Sequence, residues 1–206
     1  MNYKIDVQDL PPVNKKGSEN NAMSFLICQS ETEAFERFKK LSQNLLKIDS
    51  WNVNAGKNPT EFFVYKDGKE NQDLSLLVKE NDLVKIKIPA PKNKLGNGFD
   101  WVIVHKIQSI ESVDMKAFLL QMKPHSCPEN SNGNTAHFYT EDASSTFILA
   151  KKNKTIQFSI HGRNEIPNTK NVGFLNSCRN LFVGGGGIFG GSKLQWQDFT
   201  EEFIKN

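Results

Sequence analysis

The chain contains no apolar run approaching the ~18 residues of a membrane-spanning helix. Its opening, Met1-Asn2-Tyr3-Lys4-Ile5-Asp6, is interrupted by charge before the apolar stretch of a secretory signal could form. Cysteine is equally scarce: Cys28, Cys127 and Cys178 are odd in number and far apart, with no C-x-x-C pair to hold zinc or exchange disulfides. Three free thiols in a reducing, cytoplasmic setting are expected. The four histidines, His105, His125, His137 and His161, show no ligand spacing and stand beside no paired carboxylates, so neither a metal nor any other cofactor is expected. A strong excess of one charge is missing too. Lys and Arg total 26 against 23 Asp and Glu, and the lysines are scattered instead of forming a stripe with aromatic neighbours. No specific nucleic-acid partner and no membrane insertion are expected.

Two catalytic frames also fail in detail. Gly184-Gly185-Gly186-Gly187-Ile188-Phe189-Gly190-Gly191-Ser192-Lys193 is glycine-rich enough to suggest a phosphate cradle. A Walker loop, however, needs Lys followed by Ser or Thr, whereas Ser192 precedes Lys193, and too few residues follow to build a βαβ unit. The segment reads as a flexible or tightly packed connector. Ser144-Ser145-Thr146 lacks the glycines of a nucleophile elbow.

What is present is globular composition, 37% hydrophobic and 24% charged, over 206 residues, enough for one domain with a sizeable core. Alternation at Tyr3, Ile5 and Val7 allows a short edge strand before Pro11-Pro12, and residues 14–21 have the composition of a linker. Residues 1–23 are accordingly read as a mobile N-terminal segment and residues 24–206 as a single α+β domain. A short strand over 24–28 leads to Ser30 and Glu33, a capping box that opens a helix reaching about Ile48, with Phe35, Phe38, Leu41, Leu45, Leu46 and Ile48 on one face. Period-two strands follow at 61–65, at Val84, Ile86 and Ile88, and at 100–107, where Trp101, Val102, Ile103 and Val104 leave no polar face. Further strands lie at 116–123, 145–150 and 155–161. The last two form a hairpin across 151–154, with Ile156, Phe158 and Ile160 on one buried face. A short helix is expected within 172–182, and Ser192 with Gln195 makes a second capping box for a final helix carrying Trp196, Phe199 and Phe203 on one stripe.

The expected fold is therefore α+β: a largely antiparallel sheet of about seven strands packed against an N-terminal and a C-terminal helix. From about Ser24 to Lys205 this order is similar to the helix-grip layout of START and Bet v 1-like proteins. The resemblance implies a sheet wrapped around the final helix, with an apolar ligand in the gap and Trp196, Phe199 and Phe203 along one wall.

Candidate site residues come from two further places. His161-Gly162-Arg163-Asn164-Glu165 concentrates an imidazole, a guanidinium, an amide and a carboxylate at a strand end, where His161 and Glu165 could serve as base and orienting acid and Arg163 could hold an anion; an ordinary surface loop is the alternative. His105 follows four apolar residues of its strand and could point into a cavity, while Trp51, Trp101 and Trp196 are pocket walls or core. The ligand-contacting set is Trp101, His105, His161, Arg163, Trp196, Phe199 and Phe203. The leading reading is a non-enzymatic binding protein for a small apolar ligand. A protein-binding assembly module is the alternative, and an enzyme using His161 and Glu165 comes third. A cavity of several hundred cubic ångströms would favour the first.

Overall fold

Ser30 opens the first helix as its spacing from Glu33 predicts. Its hydroxyl accepts from Glu33 N at 3.1 Å, and the Glu33 carboxylate turns back to accept from Gln29 N at 2.8 Å. The computed structural model describes residues 4–54, 60–88, 92–130, 133–169 and 188–206. Strand β1 (Ser18–Ile27) leads into helix α1 (Glu31–Leu46) and a 3₁₀ segment, Ile48–Asn54. Strands β2 (Glu61–Lys66), β3 (Lys69–Glu70), β4 (Leu83–Lys87), β5 (Asp100–Glu111), β6 (Lys116–Pro124), β7 (Ser144–Lys152) and β8 (Thr155–Glu165) follow, and helix α2 (Ile188–Phe203) comes last.

The sheet is antiparallel throughout, in the order β1-β8-β7-β6-β5-β4-β2-β3, open and eight-stranded where about seven curled strands are expected. Turn chemistry sets its register. Asp67 and Gly68 take positive φ between β2 and β3, and Asn153 does so at +50° in the two-residue turn that pairs Lys152 with Thr155. Ile156, Phe158 and Ile160 then share the inner face, packed with Phe147 and Leu149 of β7, Leu41 and Leu45 of α1, and Phe199 and Phe203 of α2. On the outer face, Ala117, Leu119, Ile148 and Ala150 form a smaller apolar cluster.

Four expectations change. Residues 4–7 are not a strand: Ile5 pairs instead with the side chain of Gln157, its N donating to Oε1 at 2.8 Å and its carbonyl accepting from Nε2 at 3.0 Å. Ile5 and Val7 are buried against the outer cluster, and β1 begins at Ser18, inside the stretch read as mobile. The alternation at Ile5 and Val7 is therefore that of a segment lying across a sheet, with one side down. Phe35 lies outside the core, exposed, with Lys39 and Lys116 Nζ over its ring at 5.7 and 5.6 Å. The last helix starts at Ile188, four residues before the Ser192 cap. The short helix expected within 172–182 and the glycines at 184–187 lie outside the described residues, as does Cys178; Cys28 and Cys127 are free, buried thiols.

Side chains close open backbone positions on β2 and on the edge strand β1. Asn52 Oδ1 accepts from Phe62 N at 2.6 Å and Asp49 Oδ1 from Val64 N at 2.9 Å, both on β2. On β1, Gln197 of α2 accepts from Met23 N at 3.3 Å and donates to Met23 O at 3.1 Å. Among the described residues, no helix is long and apolar enough to cross a membrane.

Candidate functional site

Strand β8 changes face near its end. Asn20 of β1 pairs with Gly162, but Ser18 pairs with Glu165, so β8 spends three steps where β1 spends two. The extra residue falls at Asn164, held at φ +54°. Its backbone N donates to Asn14 Oδ1 at 2.7 Å, while its Oδ1 accepts from Lys15 N and Lys16 N at 2.8 and 3.2 Å. Asn is among the residues that enter this left-handed backbone most readily, and here the N-terminal segment holds its side chain in place. As a result, Ser159, His161 and Arg163 line a groove on the outer face, whereas Glu165 lines a cavity on the inner one. Glu165 occupies space left by Gly162, where an added Cβ would stand 2.1 Å from Glu165 Oε1.

The inner cavity measures about 140 Å³ and lies between the sheet and Trp196 of α2. Phe62, Ile86, Val102, Met122 and Phe147 supply its apolar wall, and Asp100, His137, Tyr139, Ser144 and Glu165 its polar one. Most of the polar groups already have partners. Glu165 accepts from Asn20 Nδ2 and from the Tyr139 hydroxyl, the latter at 3.4 Å. Asp100 accepts from Asn93 Nδ2 at 2.7 Å and Phe138 N at 3.1 Å, which ties the start of β5 to the 136–139 segment. Burial holds both carboxyls above the ordinary carboxylate range and pushes the Tyr139 phenol upward, with the neighbouring Glu165 adding to it. Burial lowers His137; its Nδ1 accepts from Tyr139 N at 2.9 Å, which leaves Nε2 as the protonated nitrogen. Ser144 differs: it is 3% exposed, and its hydroxyl meets no hydrogen-bonding partner among the described residues.

The seven residues expected at one site are distributed over several. Trp196 lines the cavity. Phe199 and Phe203 do not; they are buried against Trp51 and Phe158, with ring centroids 5.4 and 4.5 Å apart respectively, and are core. Trp101 packs with Cys127 and Ala136 in a separate cluster, its Nε1 donating to Gly96 O at 3.0 Å, because it alternates with the cavity-lining Val102. His105 is exposed at an irregularity in the β5–β6 register between Val104 and Lys106. His161 and Arg163 stand together on the outer face, and Glu165, on the other, cannot orient His161 as an acid–base partner. Arg163 meets Glu19 instead, Nε to Oε2 at 3.7 Å. The sequence-based site set leaves out Asp100, His137, Tyr139 and Ser144. The dense His137-Phe138-Tyr139 run inside a polar loop was the available signal.

No protein family matches the chain, and no curated protein does. Similar solved structures include a hypothetical protein, jhp0584, from Helicobacter pylori, at 8% identity over 90% of this chain and 86% of that one, with a TM-score of 0.49. Truncated norcoclaurine synthase from Thalictrum flavum is similar at 9% identity over 95% and 96%, TM-score 0.38. Ara h 8.0201 is similar at 9% identity over 92% and 100%, TM-score 0.33. The likeness to each is one of overall arrangement, at 8–9% identity. At these scores it carries no activity, ligand or site residue to this chain.

Proposed function

We propose that the chain binds a small, uncharged, mostly apolar molecule bearing one hydrogen-bonding group, held between the inner face of the sheet and α2. The Ser144 hydroxyl supports this reading. A buried hydroxyl without a partner costs ~1–3 kcal/mol, and a ligand that bonds to it recovers that cost. The cavity, at about 140 Å³, suits a single ring in size, since a dry apolar cavity of ~150 Å³ is known to hold benzene. A charged ligand fits less well, because Asp100 and Glu165 already take their donors from the protein and a further buried charge would stand uncompensated. The cavity is too small for the multi-ring cargo of a generous carrier.

Phenol and benzene test the reading as a pair, by ligand-observed NMR and calorimetry. Phenol should bind saturably and ~3–10-fold more tightly than benzene, the value of one neutral hydrogen bond. Ser144→Ala should remove that preference without lowering thermal stability, since it deletes an unpartnered polar atom. Absence of saturable binding at millimolar concentration, or a phenol preference that survives Ser144→Ala, would refute the proposal.

A further inference from the structure

On the outer face, the chain from Ile5 to Lys16 arches over β8 and β1, anchored at Gln157 by Ile5 and at Asn164 by Lys15 and Lys16. Beneath the arch lies a groove of about 550 Å³, within the roughly 300–1,000 Å³ range of small-molecule sites. Ser159, His161 and Arg163 of β8 and Asn21 of β1 line it, together with Val7, Pro11, Pro12 and Val13 of the arch.

Arg163 is 9% exposed, and its guanidinium is held by one edge. Nη1 donates to Gly162 O at 2.7 Å, Asn21 Oδ1 at 2.8 Å and Asn20 O at 3.2 Å, contacts that use both of its hydrogens and fix the plane of the group. The other edge, Nε with Nη2, is the one that presents two parallel N–H groups to a planar carboxylate. It is loosely served. Glu19 Oε2 stands 3.7 Å from Nε, beyond hydrogen-bond length, with the Glu19 side chain 54% exposed. His161 Nδ1 lies 3.3 Å from Nη2 but only 2.8 Å from Asn21 Oδ1, to which it donates, so it has no lone pair for Arg163. Burial and the charges of Arg163 and Lys4 push His161 down to about 4, which keeps the imidazole neutral near pH 7.

We propose that this groove is a second ligand site, for a small organic monocarboxylate. The carboxylate sits on the Nε and Nη2 edge of Arg163, displacing Glu19, and the apolar body lies along Val7, Pro11, Pro12 and Val13. Asp9 and Glu19 also border the groove and disfavour a doubly charged oxyanion.

Octanoate is the probe, with n-octanol and octyl phosphate as comparators, titrated into isotopically labelled protein while the amide resonances of Asn21 and Arg163 are followed. Octanoate should shift both resonances saturably, and n-octanol should shift neither. Glu19→Gln, at a half-exposed position, should tighten octanoate ~3-fold by removing the competing carboxylate. Arg163→Lys keeps a cation but loses the fork and should weaken it ~10-fold or more. Unshifted Asn21 and Arg163 resonances in both wild type and Glu19→Gln would overturn the proposal. So would equal affinity in Glu19→Gln and wild type, or tighter binding of octyl phosphate than of octanoate.

Discussion

Replacing Gly162 by alanine would place a Cβ 2.1 Å from Glu165 Oε1, 2.6 Å from Asn20 Nδ2 and 2.9 Å from Glu165 Cδ, separations that real Cβ atoms do not adopt. The Glu165 carboxylate would have to move by about an ångström, and it is not free to do so cheaply. Asn20 Nδ2 and the Tyr139 hydroxyl both hold it, and its surroundings are buried. Overpacking of this kind costs ~1–3 kcal/mol, and a weakened hydrogen bond to a charged or partly charged carboxyl adds ~1.5–3 kcal/mol, so a total loss of ~2.5–6 kcal/mol is expected. The assay is urea unfolding of wild type, Gly162→Ala, Glu165→Ala and the double variant. With Glu165 shortened, two of the three nearest atoms are gone and Asn20 Nδ2, the end of a side chain, remains at 2.6 Å, so Gly162→Ala should then cost less by ~1.5 kcal/mol or more. Additive costs in the two backgrounds would refute the assignment of Glu165 to the space beside Gly162, and with it the change of face in β8.

Two further outcomes can be measured. His161 titrates at about 4 in the folded protein against an ordinary value of 6.5, so the stability linked to it is present above pH 6.5 and is lost as pH falls toward 4. That shift corresponds to roughly 3 kcal/mol; His161→Gln should flatten the acid limb of the stability curve relative to wild type, and an NMR midpoint near 6.5 for His161 would contradict its burial. Phe199→Ala and Phe203→Ala should each cost ~3–5 kcal/mol in unfolding experiments while leaving phenol binding by the folded protein intact, whereas Trp196→Ala should weaken phenol. Loss of phenol binding in folded Phe203→Ala would place that ring at the cavity after all.

The element order was legible because it is written in periodicity and turns. The Ser30 and Glu33 cap, the Asp67-Gly68 turn and the alternation of Ile156, Phe158 and Ile160 are each local signals that tertiary packing reinforces. The site was harder to see. Alternation along β8 would carry Arg163 and Glu165 to the same face, and only the pairing with β1 reveals the extra residue at Asn164 that separates them. Ile5 and Val7 were correctly apolar on one side, but their partner is a glutamine side chain 152 positions away, which no local pattern encodes. Ser144 stands out only once its neighbours among the described residues are known to offer its hydroxyl no bond.

The side-chain amides along the outer strands bear on how the protein behaves at high concentration. A strand arriving from another molecule must form main-chain bonds with an edge, and at Met23 and Phe62 those positions are already taken by Gln197 and Asn52. Lengthening the sheet would first require prising α2 from one side or the 3₁₀ segment from the other. These amides therefore serve as guards against templated aggregation, and their loss would leave a chain still able to fold but open to its own copies.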